Sequence, residues 1–194
     1  MERRVVVTGM GAVSPLGLDV PTLWQGIQEA RSGVGPVGLC DATGLESRIA
    51  GEVKGFDAHN YMDRKEARRN DRFIHFAIAA TREALAMAEL SITPENAEGI
   101  GAIIGSGIGG IETFADGLHT LRDKGPGRVS PFLVPGMITN MAAGQVSIQF
   151  GLKGPSFCPT SACATAAHAI GEAAETIRRG WAKAIIAGGS EAPI

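Results

Sequence analysis

The sequence predicts an α/β protein in which a largely parallel sheet is covered by helices on both faces. Short apolar runs alternate with longer amphipathic segments, which is typical of strands and helices taken in turn. The apolar runs have no polar face, as strands buried on both sides require. Because 44% of the residues are hydrophobic and 20% charged, the chain is not expected to be disordered, and 27 glycines among 194 residues favour close backbone contacts.

The strand predictions rest on β-branched or small apolar runs that end at glycine or proline. The expected strands are residues 4–9, 101–105, 156–158 and 182–188, with a shorter strand-like piece at 48–53. Because segments of helical length separate these strands, they are expected to run parallel to one another.

The helix predictions rest on apolar residues spaced three and four apart and on start and stop residues. Asp19 is expected to cap a helix with Pro21 in its first turn, and Gly151 and Gly180 are expected to end two others. The expected helices are residues 22–30, 71–90, 111–121, 137–150 and 161–179, and residues 123–130 are expected to form a loop.

Charge balance and cysteine usage exclude several classes of protein. Eighteen basic and 20 acidic residues give a net charge of −2, which argues against a nucleic-acid binder held by bulk charge. No apolar stretch reaches the roughly 18 residues that span a bilayer, and glycine and proline interrupt the apolar N-terminal run. Three cysteines without a CxxC pair predict neither a disulfide framework nor a metal site. We therefore expect a cytoplasmic protein with no nucleic-acid or membrane partner.

Cys163 is the strongest candidate for a reactive residue. It follows a short predicted strand and stands at the start of an Ala-rich helix, where Thr160 or Ser161 is expected to cap the first N–H groups. The positive partial charge of a helix start favours thiolate over thiol, and its N–H groups can hold a developing oxyanion. The alternative is a small buried cysteine that only fills space. The position favours a nucleophile.

No histidine matches this cysteine as a base. His168 lies five residues later, about 140° around the helix because each residue turns about 100°, so it is expected to be a hydrogen-bonded packing residue. His59, His75 and His119 show no partner pattern. The sequence therefore supplies a nucleophile without a base.

A second motif, Gly105-Ser-Gly107-Ile-Gly-Gly110, fits the dinucleotide-binding fingerprint G-x-G-x-x-G. The acidic residue that should end a second strand about 20 positions later is missing, because Asp123 falls in a predicted loop. A nicotinamide-dependent oxidoreductase is therefore a minor alternative. The other use of Gly107 and Ile108 is close approach to another segment or to an acyl chain.

Basic residues cluster just before the long predicted helix. Lys65, Arg68, Arg69 and Arg72 are three or four positions apart, so they are expected to share a helix face. Such a face is either a solvated surface turn or a docking patch for an acidic partner.

Apolar residues around two prolines form a further candidate. Phe132, Leu133 and Met137 lie close to Pro131 and Pro135. They either line a lipid-like pocket or fill a core, and core filling is the commoner use of such residues.

These residues belong to a longer pattern that resembles the β-ketoacyl-[acyl-carrier-protein] synthases, the condensing enzymes of fatty-acid elongation, and within them the type II class. The likeness extends along the whole chain, and the combination of motifs is far more specific than either glycine motif alone. The matching motifs are Arg4-Val-Val-Val-Thr-Gly-Met-Gly-Ala-Val-Ser-Pro-Leu-Gly17, Gly105-Ser-Gly-Ile-Gly-Gly110, Ser130-Pro-Phe-Leu-Val-Pro135, Asn140-Met141, Gly151-Leu-Lys-Gly-Pro-Ser156, Ser161-Ala-Cys163-Ala-Thr and Gly188-Gly-Ser-Glu191.

The resemblance implies a thiolase-like fold of two similar α/β halves, of which residues 1–194 are the N-terminal one, and a homodimer. It also implies a decarboxylative Claisen condensation. An acyl group moves from the phosphopantetheine thiol of acyl carrier protein to a cysteine, and malonyl-carrier protein then loses CO2 and attacks the acyl thioester. No resident cofactor is implied, because the partner protein carries the phosphopantetheine.

The resemblance also assigns roles to single residues. It implies that Cys163 is the acylated nucleophile, with its own N–H as one oxyanion donor, and that Gly107, Ile108 and Ala162 stand beside the acyl pocket. The other matches are Phe132, Leu133 and Met137, in a segment that reaches the pocket of a second subunit, and Lys65, Arg68, Arg69 and Arg128, in a basic surface that meets the acidic carrier protein.

In this family two catalytic histidines, a lysine and the second oxyanion amide lie in the second half. Residues 1–194 alone are therefore expected to form no carbon–carbon bond. Related alternatives are a polyketide condensing subunit and another acyltransferase of the thiolase superfamily. The dinucleotide-binding oxidoreductase is the alternative from a different class.

Overall fold

A parallel three-stranded sheet lies at the centre of the computed structural model, which describes residues 3–194. The strands, in chain order, are β1 Gly35–Pro36, β2 Ile49–Ala50, β3 Ile100–Gly105, β4 Ser156–Phe157 and β5 Ala184–Gly189. β3 is the middle strand of the sheet, because it pairs with β5 over its whole length and with β4 along its other edge. β1 and β2 pair separately and run antiparallel.

Helices occupy most of the chain between the strands. They are α1 Val20–Gln28, α2 Arg64–Ala67, α3 Arg72–Met87, α4 Ile111–Lys124, α5 Leu133–Met137, α6 Met141–Phe150 and α7 Thr165–Arg178. Short 3-10 turns occur at Ala58–Asn60, Ala97–Gly99, Pro126–Arg128 and Ala162–Ala164.

Helices cover the sheet on both faces, as predicted. Every residue of β3 is buried, and its side chains alternate between two apolar clusters. Ile103 packs with Ala169 and Ala173 of α7, whereas Ala102 and Ile104 belong to the cluster built mainly by α3 and α6. The fold class predicted from the apolar runs is therefore confirmed, because only strands buried on both faces need runs without a polar side.

Aspartates start two of the predicted helices. Asp19 accepts a hydrogen bond from the Thr22 amide at 2.7 Å, and the hydrogen bonds from Thr22 lower the pKa of the Asp19 carboxyl. Asp71 caps α3 through the Phe73 amide and also accepts from the Thr113 amide of α4 at 3.0 Å. The capping prediction at Asp19 is confirmed, and α1 and α3 lie within three residues of their predicted bounds.

The predicted strand at residues 4–9 is wrong. No strand of residues 3–194 pairs with this segment, and Val6 and Val7 are 60% and 77% exposed. This part of the chain instead lies against α3. Gly9 and Gly11 are so close to the helix that a Cβ on either would overlap a backbone oxygen of α3. A β-branched run favours extended backbone, but a strand also needs a hydrogen-bonded neighbour.

Other predicted bounds also change where tertiary contacts intervene. The helix expected at 137–150 begins four residues later, as α6 at Met141, because the Met137 carbonyl accepts a hydrogen bond from Gly110 at 2.9 Å and Ile138 is extended. The short helix α5, which ends at Met137, was not predicted. The loop expected at 123–130 is wrong in part, since α4 continues to Lys124 and a 3-10 turn follows. The strand-like piece at 48–53 shortens to β2, and the remaining predicted strands keep their places within two residues.

Candidate active site

Three loops meet at one edge of the sheet. Because β3, β4 and β5 are parallel, their carboxyl ends lie on the same side, which is where open α/β sheets bind ligands. The loops that leave these ends are residues 106–110, 158–164 and 190–191. Ser190 and Thr160 tie them together: the Ser190 amide donates to the Gly105 carbonyl, and the Thr160 hydroxyl donates to the Ser106 carbonyl, both at 3.0 Å.

Cys163 is exposed at this edge. It lies in the 3-10 turn Ala162–Ala164, which leads directly into α7. This placement excludes the alternative of a cysteine that only fills a buried space. It also places the thiol at the start of a helix, the position in which backbone N–H groups point towards a negative charge.

The predicted cap of this helix start is wrong. The Thr160 hydroxyl binds the Ser106 carbonyl instead, and the Ser161 amide donates to the Thr165 hydroxyl at 2.8 Å. Among the described residues, no side chain accepts a hydrogen bond in a capping position at either the 3-10 turn or α7. The N–H groups at the entrance to α7 are therefore not occupied by the cap that the sequence predicts.

Ala162 has an unusual backbone conformation. Its φ is +49°, in the left-handed region that residues with a Cβ seldom adopt. Such strain costs on the order of 1–3 kcal/mol and is concentrated in proteins at functional sites. The strained residue directly precedes Cys163 and fixes the direction in which the chain enters the helix.

Glu191 holds the glycine loop, residues 106–110, in place, and its role was not predicted from the sequence. Its carboxylate accepts hydrogen bonds from the Gly107 amide at 2.7 Å, the Ile108 amide at 3.2 Å and the Ser106 hydroxyl at 3.0 Å. The same hydroxyl accepts from the Gly109 amide at 3.0 Å. The sequence offered two signals for it: Glu191 follows the end of a predicted strand, and it closes the family motif Gly188-Gly-Ser-Glu191.

These hydrogen bonds also disfavour the dinucleotide alternative. The fingerprint binds pyrophosphate through free amides of the glycine loop. Here the amides of Gly107 and Ile108 bind Glu191, that of Gly109 binds Ser106, and that of Gly110 binds Met137. These four amides already donate to acceptors within the protein, so they are not free to bind a pyrophosphate.

Glycine allows α7 to pack directly against the strand ends. A Cβ on Gly105 would lie 2.1 Å from the Thr165 methyl carbon and 2.7 Å from the Pro159 carbonyl, and one on Gly189 would lie 2.8 Å from the Ala166 Cβ. Real Cβ atoms do not make contacts this short, so both positions require glycine.

The structure gathers some of the predicted pocket residues and separates others. Gly107 lies beside Ala162, since a Cβ on Gly107 would be 3.7 Å from the Ala162 Cα, and the neighbouring Ile108 is 53% exposed. Met137 joins them through its hydrogen bond to Gly110. The two other residues, Phe132 and Leu133, stand at the opposite end of α5, where Phe132 lies under Arg69 and Leu133 packs on Gly117 of α4.

The histidines differ from their predicted surroundings. His168 hydrogen-bonds to the Ser161 hydroxyl, as a hydrogen-bonded role requires, but it is exposed rather than packed inside. His59 does have a partner, because its Nδ1 lies 2.7 Å from Asp57. His75 is half-buried against the Ala67 carbonyl, and burial lowers its pKa.

The basic residues do not form one helix face. α2 ends at Ala67, so Arg68 and Arg69 lie in the break before α3, and that part of the prediction is wrong. Arg69 pairs with Glu66 at 2.9 Å and stacks over the Phe132 ring, which orients it from both sides. Of the four predicted docking residues, Lys65, Arg68 and, on the 3-10 turn after α4, Arg128 are exposed. Arg64, Arg68 and Arg72 line a surface cavity of about 390 Å³.

Comparison with known proteins identifies the class to which this fold and this cysteine belong. Residues 2–194 match the family model described as beta-ketoacyl synthase, N-terminal domain. The chain belongs to the β-ketoacyl synthase family.

Particular relatives agree with this. The chain is 49% identical over 193 residues to 3-oxoacyl-[acyl-carrier-protein] synthase 2 of Synechocystis sp., covering 100% of this chain and 46% of that protein. It is 50% identical to the protein of the same name from Staphylococcus aureus (strain COL), covering 100% of this chain and 47% of the relative. The chain thus spans about half the length of the curated relatives that it matches.

A solved structure confirms the predicted thiolase-like fold. One chain in the solved complex of a type II PKS acyl-carrier protein with its ketosynthase, bound to the hexaketide, superposes on this protein with a TM-score of 0.84. The two chains are 26% identical, and the match covers 99% of this chain and 52% of the other. Within residues 3–194, no helix is both long and apolar enough to cross a bilayer. In the same range, no cluster of His, Cys, Asp and Glu side chains is arranged to hold a metal ion.

Proposed function

We propose that residues 1–194 supply the acylated nucleophile, Cys163, for the decarboxylative condensation of acyl and malonyl thioesters on acyl carrier protein in fatty-acid elongation. The observation that carries the proposal is the placement of Cys163: exposed, at the start of α7, and beside the loop ends of three parallel strands. Relatives about 50% identical over the whole chain carry the name 3-oxoacyl-[acyl-carrier-protein] synthase 2.

The first step is a thioester exchange. The Cys163 thiolate attacks the acyl carbonyl carbon, a new C–S bond forms, and the phosphopantetheine thiol leaves with the proton that Cys163 gave up. The oxyanion that develops during the attack is held by backbone N–H groups at the start of α7, among them that of Cys163. The phosphopantetheine belongs to the carrier protein, so the proposal needs no resident cofactor.

The second step forms the carbon–carbon bond. Malonyl-carrier protein loses CO2, and the resulting carbanion attacks the acyl carbon and releases the Cys163 thiolate. The family resemblance assigns the histidines and the lysine that assist this step to positions outside residues 1–194. His168, the histidine nearest to Cys163 in the chain, hydrogen-bonds to the Ser161 hydroxyl.

We propose that the carrier protein docks on Lys65, Arg68, Arg69 and Arg128. Lys65, Arg68 and Arg128 are exposed, and an acidic partner would be steered to them by complementary charge. Arg69 is less available, because Glu66 already neutralises it. A homodimer and a cytoplasmic location complete the proposal, and they rest on the family resemblance and on the composition.

A polyketide condensing subunit is the second candidate. The superposition on a type II PKS ketosynthase favours it, but at 26% identity, about half that of the 3-oxoacyl-[acyl-carrier-protein] synthase 2 relatives. Fatty-acid elongation therefore remains the better supported function.

Acyl transfer in the absence of malonyl-carrier protein tests the proposal. The protein is incubated with acyl-carrier protein, digested, and analysed by peptide mass spectrometry. We expect the mass of one acyl group on the Cys163 peptide and none on the peptides of Cys40 or Cys158, the built-in controls. Cys163→Ser should abolish the adduct. Acylation of Cys40 in place of Cys163 would refute the proposed nucleophile.

The charge-reversed Arg68→Glu variant tests the docking surface in the same assay. We expect it to slow transfer from acyl-carrier protein by about tenfold, because like charges meet where opposite charges did. Transfer from a short acyl thioester that lacks the protein should not change. Equal slowing with both donors would count against docking at Arg68.

A further inference from the structure

Glu191 connects two loops that leave different strands. It follows β5, whereas its three hydrogen-bond donors, Ser106, Gly107 and Ile108, follow β3. The residues joined are more than 80 positions apart in the sequence. The side chain is nevertheless exposed, so these bonds do not arise from burial of an apolar surface.

The geometry of these bonds fixes the shape of the glycine loop. One carboxylate oxygen accepts from two consecutive amides, those of Gly107 and Ile108, while the other accepts from the Ser106 hydroxyl. Consecutive amides point at one acceptor only when the backbone is folded into a concave nest. Charge-assisted hydrogen bonds of this kind are about twice as strong as neutral ones. The loop therefore holds this bend as long as a side-chain oxygen of residue 191 accepts from both amides.

The loop in turn stands beside the residue that precedes the candidate nucleophile. A Cβ on Gly107 would be 2.9 Å from the Glu191 carboxylate and 3.7 Å from the Ala162 Cα, so Gly107 is close to both. Ala162 is the strained residue that precedes Cys163. Ile108, 53% exposed, is the apolar side chain of the same loop.

We infer that Glu191 is a positioning residue: by holding the amides of Gly107 and Ile108, it fixes the Ile108 side chain as an apolar wall near the turn that carries Cys163, and so sets the selectivity of the thiol for long acyl chains. This inference rests on the proposed function of Cys163. A merely structural tie between two strand ends would change stability without changing which reagents the thiol prefers.

Alkylation of Cys163 by two reagents separates these roles. Iodoacetamide is the small reagent, and an iodoacetamide carrying a long N-alkyl chain is the chain-bearing one. Each forms a thioether and releases iodide. The rate at Cys163 is measured by peptide mass spectrometry and divided by the rate at Cys40, an exposed cysteine distant in the sequence. The ratio of this normalised rate for the long-chain reagent to that for the small reagent measures how strongly the protein favours a chain at Cys163.

In Glu191→Ala we expect this ratio to fall by about fivefold. Without the carboxylate the loop that carries Ile108 is no longer held in place, and a binding surface that must first be ordered favours an alkyl chain less. Glu191→Gln is the matched control. Its side-chain oxygen can still accept from both amides, so the ratio should stay within about twofold of wild type. If Glu191→Ala does not fold, Glu191→Asp replaces it: the carboxylate is kept but withdrawn by one methylene, and the ratio should also fall.

Other results would overturn the inference. An unchanged ratio in Glu191→Ala, with a lower melting temperature, would show that the residue is only a structural tie. A ratio lost equally in Glu191→Gln would show that charge, and not the geometry of acceptance, is responsible. If wild-type Cys163 reacts with neither reagent, the proposed nucleophile itself fails, and this inference fails with it.

Discussion

The N-terminal segment, residues 4–13, and the strand β3 begin from similar sequences but differ in structure. Both contain β-branched apolar residues together with glycine. β3 is buried at every position and paired on both edges, whereas Val7 in the N-terminal segment is 77% exposed and has no paired strand among the described residues. The difference shows that composition sets an extended backbone, while a neighbouring strand decides whether it becomes part of a sheet.

Glycine has the same effect in both regions. Gly9 and Gly11 let the N-terminal segment lie against the backbone of α3, and Gly105 and Gly189 let α7 lie against the ends of the sheet. In the first region the contact replaces strand pairing, and in the second it supports the loops around Cys163. Close helix approach therefore explains why glycine stands at these four positions.

The largest contrast between the two regions should appear in core truncation. Ile103→Ala removes a fully buried side chain from β3, and we expect it to lower the free energy of unfolding by about 2–5 kcal/mol. Val7→Ala in the N-terminal segment should change it by less than about 0.5 kcal/mol, because the side chain is already in solvent. Urea unfolding followed by circular dichroism measures both. A comparable loss in Val7→Ala would mean that this segment is covered in solution.

A smaller effect is expected from adding a methyl group to the sheet edge. Gly105→Ala should cost about 1–3 kcal/mol, because the new Cβ would overlap Thr165 and the Pro159 carbonyl. Gly188→Ala is the matched control on β5, where no atom lies within 4 Å of the new Cβ, so stability should be nearly unchanged. Equal melting temperatures for the two variants would contradict the close packing of α7 on the strand ends.

The smallest effect concerns α3, the helix shared by the two regions. Burial is the main cause that lowers the pKa of His75 below its ordinary value near 6.5; Asp71 opposes this shift, and Arg72 adds to it. As pH falls below about 6.5, the unfolded chain therefore takes up the proton before the folded protein does, and stability decreases until the lower folded pKa is reached. In His75→Gln the slope of stability between pH 7 and 5 should be shallower. An unaltered slope would show that His75 titrates alike in both states.

The sequence by itself determined the layers of this protein and the identity of its candidate nucleophile. Runs such as Ile100–Gly105, apolar on both faces, have few stable environments other than a buried parallel strand, so the local pattern is enough to predict them. Likewise, the cap at Asp19 and the turn that leads from Cys163 into α7 are local features, because each involves residues only a few positions apart.

Only the tertiary structure decided the contacts between distant segments. The role of Glu191 depends on amides more than 80 residues away, the break at Ile138 follows from a hydrogen bond between Met137 and Gly110, and the missing strand at residues 4–9 follows from the lack of a partner. Each of these outcomes depends on which donor, acceptor or strand the fold brings near. A local sequence pattern carries the preferences of a segment, but not the neighbours that satisfy its hydrogen bonds.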